Sequence, residues 1–247
     1  MGGSILGNRV LRKEDPKFLT TGGVYVDDLL DEPALLGALH VTYVRSTVAH
    51  GNITSIDTSD AASMPGIVAV LTGKDLGLEF VPSAYNPAAT RTLLATDKVR
   101  FVGEPVVAIV SKTREEGEDA IDAVIIDYDV LPALIDLEEA MASSTLLYEA
   151  CGSNVVFDSM VLGLPDNTGD AYFADCEVVA KGRFINQRVA PCPLEVRGAA
   201  AAWGKDGRLT QWLSTQHAQG AVAPLAATNG VDPSMVHVKT PDVGGGF

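Results

Sequence analysis

Residues 102–130 read VGEPVVAIVSKTREEGEDAIDAVIIDYDV, and this stretch decides the fold. Val106 to Val110 is a compact run of β-branched and small apolar residues, as a buried strand requires. The pattern then changes near Ser111. Thr113 and Glu116 have the spacing of a capping box, and Ala120, Ile121 and Val124 fall on one face of a helix. The acidic run REEGEDAID reads as the solvated side of that helix. VIIDYDV returns to a strand, which Pro132 stops.

The same alternation extends in both directions. Upstream, GALHVTYVRS predicts a strand from Ala38 to Val44, and DTSDAASMPG a short helix. IVAVLTG predicts a buried strand ending at Gly73, followed by a loop over roughly Glu79 to Thr96. Strand–helix–strand twice over gives an α/β or α+β unit with a mixed sheet, and α+β is the expected class. Downstream, LGLPDNTGD is a loop and CEVVAKGRFINQRV has a long strand pattern. LEVRGAAAAWGKDGRLTQWLSTQ predicts a hairpin turning at Gly204–Gly207. AQGAVAPLAATNG is a short Ala-rich helix that ends at Asn229–Gly230 despite Pro224. MVHVKT is a strand, and PDVGGGF is the loop after it.

Composition narrows the function classes. The 247 residues suffice for one large domain or two modest ones, and 47% hydrophobic with 20% charged is ordinary globular usage. Eighteen Lys and Arg against 32 Asp and Glu give a net charge of −14, which argues against a nucleic acid or an anionic membrane as partner. The longest uncharged stretch, Leu213 to Val231, carries Gln, Asn, Ser, Thr, Gly and Pro and is no membrane span. The start, MGGSILGNRVLRKEDPKF, lacks the apolar core of a signal peptide, and a cytoplasmic location is expected. Cys151, Cys176 and Cys192 form no C-x-x-C pair, so a cysteine-ligated cluster within this chain is not expected, and buried free thiols are.

Six segments in order resemble one family, the molybdenum-binding large subunits of the xanthine dehydrogenase, aldehyde oxidoreductase and carbon monoxide dehydrogenase group. They are VLRKEDPKFLTTGGVYVDDL, VRSTVAHGNITSIDTSDAASMPGIVAVLTGKDL, VRFVGEPVVAIVSKTREEGEDAIDAVIIDYDVLPALID, NQRVAPCPLEVRGAAAAW, STQHAQG and PDVGGGF. Val196 departs from the pattern, standing where the family usually has proline after the glutamate. The resemblance implies an N-terminal arm (1–19), an a/b hammerhead domain (20–146) and the incomplete first part of a molybdopterin-binding domain (147–247). It implies the N-terminal third of a longer subunit, cut within the run G-G-G-F-G-G-K, without the catalytic glutamate and inactive alone.

The resemblance also assigns site residues. Gln216 is placed beside the molybdenum, where a neutral amide donates a hydrogen bond without changing the charge of the site. Gly245, Gly246 and Phe247, after Gly244, form the second cofactor loop, since glycines let backbone N–H groups approach a ligand closely. A turn-capping Gln and an ordinary glycine turn are the plain alternatives. A Rossmann loop is excluded, because the G-x-G-x-x-G spacing is missing. No residue of this chain is assigned as catalytic or as a direct metal ligand. His217 is expected to be a loop histidine without catalytic duty, Glu195 and Arg197 either a buried pair holding the domain together or a substrate contact, and Glu104 structural. His40 and His50 have no paired ligand.

The implied cofactor is molybdenum–molybdopterin in its cytosine dinucleotide form, with FAD and 2Fe-2S clusters on partner subunits. The implied chemistry is hydroxylation, with electrons leaving through the iron–sulfur clusters to flavin. The implied partners are the remaining molybdenum-domain polypeptide, a FAD-binding medium subunit and an iron–sulfur small subunit. An interaction module that binds no cofactor is the alternative of a different class.

Overall fold

The computed structural model describes residues 6, 7, 9, 11–77, 86–157 and 170–246. They form two compact units, one of residues 38–186 and one that joins 1–37 to 187–247.

The second unit begins the chain. Helix α1 (Asp15–Thr20) starts with proline in its first turn, where a missing N–H costs nothing. Val26 opens a 3₁₀ segment, Val26–Asp31, and is buried. Tyr25 and Asp28 make the reciprocal cap of that segment.

In the 38–186 unit the strands are β1 (His40–Arg45), β2 (Gly51–Asp57), β3 (Ile67–Thr72), β4 (Lys98–Val99), β5 (Pro105–Ser111) and β6 (Ile125–Val130). They make two three-stranded sheets, ordered β1-β5-β3 and β4-β2-β6. Every pairing in these two sheets is antiparallel, so the mixed sheet expected from the sequence is not what forms. Strand order is nonlocal information: β5 lies between β1 and β3, a placement that local alternation does not encode. Strand β2 was not anticipated at all. Its sequence GNITSID carries Gly, Asn and Ser, and its register is fixed by remote partners such as Ser55 Oγ donating to Asp127 Oδ2 at 2.6 Å.

The core of this unit follows the opening stretch. Val106, Val107 and Ile109 on β5 are fully buried and pack with Val44, Ala61, Ala95, Val99, Ala120 and Val124. Helix α2 (Ser59–Ser63) brings Ala61 into it, and α3 (Gly73–Leu76) follows β3. Helix α4 (Arg114–Asp119) starts at the expected capping box, with Glu116 N–H donating to Thr113 Oγ1 at 3.3 Å and Thr113 N–H to Glu116 Oε2 at 3.0 Å. Arg114, Glu115, Glu118 and Asp119 are exposed, as the acidic run predicted. Gly117 is buried, and a Cβ there would lie 2.6 Å from Thr42 Oγ1 and 2.7 Å from Ser111 Oγ. The glycine lets the helix rest directly on β1 and β5.

Glu104 is buried, and its carboxylate accepts the Arg100 N–H at 2.6 Å while its carbonyl accepts the Ser46 N–H at 2.8 Å. It braces a turn. His50 is buried with Nδ1 2.8 Å from the Pro132 carbonyl, and His40 is exposed on β1. Helix α5 (Leu137–Ala142) follows, capped by Asp136.

Two further expectations fail. Residues 176–189 form no strand, and Val178, Phe184, Ile185 and Val189 are exposed. Their period-two pattern has no partner strand among the described residues. The free cysteines are not buried either: Cys176 is exposed on this irregular stretch, Cys192 is exposed just beyond it, and Cys151 is half-buried. All of the expected loop at LGLPDNTGD but Asp170, and most of the first half of the one at 79–96, lie outside the described residues.

The second unit resumes with β7 (Ala199–Trp203) and β8 (Leu209–Leu213), the predicted hairpin, whose turn is closed by Gly204 N–H donating to Arg208 O at 2.8 Å. Helix α6 (Ala218–Asn229) contains Pro224 and ends at left-handed Gly230, as predicted. Strand β9 (Val236–Lys239) pairs with β8 in parallel, giving the order β7-β8-β9. Leu209, Trp212, Ala226, Val236 and Val26 are its buried apolar residues.

Candidate functional site

The β8–α6–β9 crossover places two loops at one edge. Leu209 pairs with Val236 and Trp212 with Lys239, so the strands run in step and their carboxyl ends lie side by side. Residues 214–217 leave β8 at that edge, and residues 240–246 leave β9 there. Ligands of open α/β sheets bind at this end of the strands, because the loops diverge there and leave a crevice.

Local hydrogen bonds fix the first loop. Gly198 N–H donates to Ser214 Oγ at 3.0 Å, and Ser214 N–H donates to Gly198 O at 3.2 Å, which extends the β7–β8 ladder by one step. His217 N–H donates to Thr215 Oγ1 at 3.1 Å and turns the chain into α6. Gln216 is exposed at the crest of this turn, and no hydrogen bond engages its side-chain amide among the described residues. His217 occupies the N-cap position of α6 and is exposed.

The second loop reaches the first. A Cβ on Gly246 would lie 3.3 Å from Cγ, Cδ and Nε2 of Gln216, so the glycine faces the glutamine side chain across a gap that a side chain would close. Gly244 is held from behind, its N–H donating to Glu195 Oε2 at 2.5 Å. The Glu195–Arg197 pair weighed from sequence does not form among the described residues, since the glutamate is engaged by Gly244 and Arg197 is exposed. Asp242 accepts the Val24 N–H at 2.8 Å and pairs with Lys17, and these donors hold its carboxyl below the usual range. The structure thus brings Gly246 beside Gln216, with Gly245 the residue before it in the same loop. Phe247 lies outside the described residues. Sequence reasoning missed the parts of Asp242 and Tyr25, for which the only signal was their presence in the quoted segments.

No group of three or more His, Cys, Asp or Glu that could hold a metal occurs among the described residues. What the edge offers is a neutral amide and glycine backbone. No described helix is long and apolar enough to cross a membrane.

A parallel β–α–β crossover, with a glycine loop and an amide unengaged among the described residues at its carboxyl edge, defines an α+β module. Sequence profiles identify it further. The aldehyde oxidase and xanthine dehydrogenase a/b hammerhead domain matches residues 20–132, and the molybdopterin cofactor-binding domain matches residues 148–247. The chain is 36% identical to the nicotine 6-hydroxylase large subunit of Paenarthrobacter nicotinovorans, over 99% of this chain and 30% of that protein. It is 37% identical to the carbon monoxide dehydrogenase large chain of Afipia carboxidovorans, over 98% of this chain and 31% of that protein. Among solved structures, quinoline 2-oxidoreductase from Pseudomonas putida 86 superposes with a TM-score of 0.81 at 32% identity, covering 100% of this chain and 31% of that one. The chain therefore belongs to the molybdenum hydroxylase family of xanthine dehydrogenase, aldehyde oxidoreductase and carbon monoxide dehydrogenase large subunits. It spans roughly a third of the length of the relatives it matches.

Proposed function

We propose that this chain supplies two loops, 214–217 and 241–247, to a molybdenum cofactor in an assembly that hydroxylates a small substrate. The observation that carries the reading is the placement of Gly246 beside the Gln216 side chain at the carboxyl edge of β8 and β9. The residues fit such a group. A molybdenum–pterin centre presents oxo and carbonyl acceptors, and the edge presents donors without charge: the Gln216 amide and the glycine N–H groups. A side chain at position 246 would fill the space beside the amide.

When bound, the cofactor supplies the oxidation chemistry. Gln216 then donates its amide N–H to an acceptor oxygen and orients it. Gly245 and Gly246, with Phe247, bring backbone close to the same group. No residue among 1–247 is assigned the proton-abstracting role, so that base lies outside these residues. The cytosine dinucleotide form of the cofactor, a FAD-binding subunit, an iron–sulfur subunit and a cytoplasmic location complete the proposal. The substrate is of the class that the relatives' names span: carbon monoxide, an aldehyde or an N-heterocycle such as nicotine or quinoline.

Metal analysis of the assembly, after co-expression with the neighbouring reading frames, tests the proposal. Stoichiometric molybdenum in a complex containing this chain is expected. A stable monomer that never takes up molybdenum contradicts it and favours an interaction module without cofactor.

A further inference from the structure

We infer that Glu195 and Asp242 are positioning residues that clamp the glycine loop against Gln216, and that the N-terminal strap from Lys17 to Val26 is part of the clamp. The inference rests on the cofactor reading above, and it concerns a segment, 15–26, that lies mostly before or at the start of the hammerhead match.

Two anchors hold the loop. At its base, Asp242 and Val24 bond in both directions: Asp242 N–H donates to Val24 O at 3.0 Å, and Val24 N–H donates to Asp242 Oδ2 at 2.8 Å. The Lys17 ammonium pairs with the same carboxylate oxygen. One residue past Val243, Gly244 N–H donates to Glu195 Oε2 at 2.5 Å. Between them the loop has no slack. A Cβ on Gly244 would lie 2.4 Å from Glu195 Cβ and 3.3 Å from Tyr25 Cε1. The strap is itself fixed on the sheet, because Val26 is buried and its Cβ lies 3.1 Å from where a Cβ on Gly198 would be. Gly198 is the residue that bonds Ser214, two positions before Gln216. Strap, Glu195 and both cofactor-side loops are therefore one connected set of contacts within a single unit.

Each carboxylate of this clamp accepts a backbone N–H of the chain. Asp242 is spent on Val24 and Lys17, and Glu195 Oε2 on Gly244. Glu195 Oε1 is buried without a partner among the described residues, which makes the bond from Gly244 N–H to Oε2 the costlier to lose. Their role is to set where Gly245 and Gly246 lie relative to the Gln216 amide, and any acceptor bound there inherits that spacing.

Amide hydrogen exchange of the 247-residue chain without cofactor, read by mass spectrometry, tests the clamp. Glu195→Ala and Asp242→Ala should each speed exchange in a peptide covering 241–246 by about tenfold or more, and leave β8 amides protected. Glu195→Gln, which keeps a side-chain oxygen acceptor, should retain the protection. Unchanged loop exchange in Glu195→Ala overturns the inference, as does Glu195→Gln exchanging as fast as the alanine variant. Should an alanine variant lose β8 protection as well, Lys17→Met decides: it is an exposed change and should still speed loop exchange about twofold, and no acceleration overturns the part of the strap. These readouts need no metal, so a clamped loop in a protein that never binds molybdenum would sink the proposed function and leave the clamp standing.

Discussion

Ile109 and Leu194 are both aliphatic and both lie in stretches that read as strand, yet Ile109 is fully buried and Leu194 stands wholly in solvent at 101% relative exposure. They mark the contrast between the two units. Residues 38–186 close on a contiguous core built around β5. The unit of 1–37 and 187–247 has a few buried residues around β8 and leaves Leu194, Val196 and Trp203 exposed. One unit stabilises itself by burial. The other has fewer buried residues and holds the loops at its carboxyl edge with polar contacts.

That contrast can be broken by mutation. Ile109→Ala should destabilise the 38–186 unit by about 2–5 kcal/mol in denaturant unfolding, through lost burial and a residual cavity. Next comes Gly117→Ala, which in an open helix would be neutral or favourable. Here the added Cβ meets the short, buried side chains of Thr42 and Ser111, and a loss of about 1–3 kcal/mol is expected. Thr113→Ala removes the cap of α4 and should cost about 1 kcal/mol by the same measurement. Leu194→Ala should change stability by less than about 0.5 kcal/mol. A Leu194 effect as large as that of Ile109 would erase the distinction.

The smallest effect is a pH effect at the loop. Lys17, first, and the Val24 N–H hold the Asp242 carboxyl below its usual range. A depressed folded pKa contributes stability that is fully present above the unfolded value and is lost as pH falls through the folded one. Loop protection, corrected for intrinsic exchange, should thus persist at about pH 4 and fall only below it. Protection lost well above that range would show that Asp242 does not anchor the loop.

What could be read from sequence was local. The hairpin at Gly204–Gly207, the Gly230 helix stop and the Thr113–Glu116 cap are each set within a few residues, and each forms as expected. What could not be read was pairing across the chain. Strand β2 owes its place to Asp127 and Tyr128, and residues 176–189 have the right period without a partner. The site divides the same way. The Gln216 turn and the glycine loop stood out by type and order, whereas Glu195 meets Gly244 across 49 residues, and Asp242 meets Lys17 across 225. Contacts of that span follow from topology, which residue order alone leaves open.

The central claim is that the carboxyl edge of β8 and β9 holds the molybdenum cofactor. Gly246→Val tests it most directly, because the new side chain would occupy the space beside the Gln216 amide without touching either core. The measurement is the molybdenum-to-chain ratio of the isolated assembly, variant against wild type, with folding monitored by circular dichroism. The account predicts a stoichiometric wild type and a variant that folds and carries little or no molybdenum. A folded variant with an unchanged molybdenum ratio would contradict it.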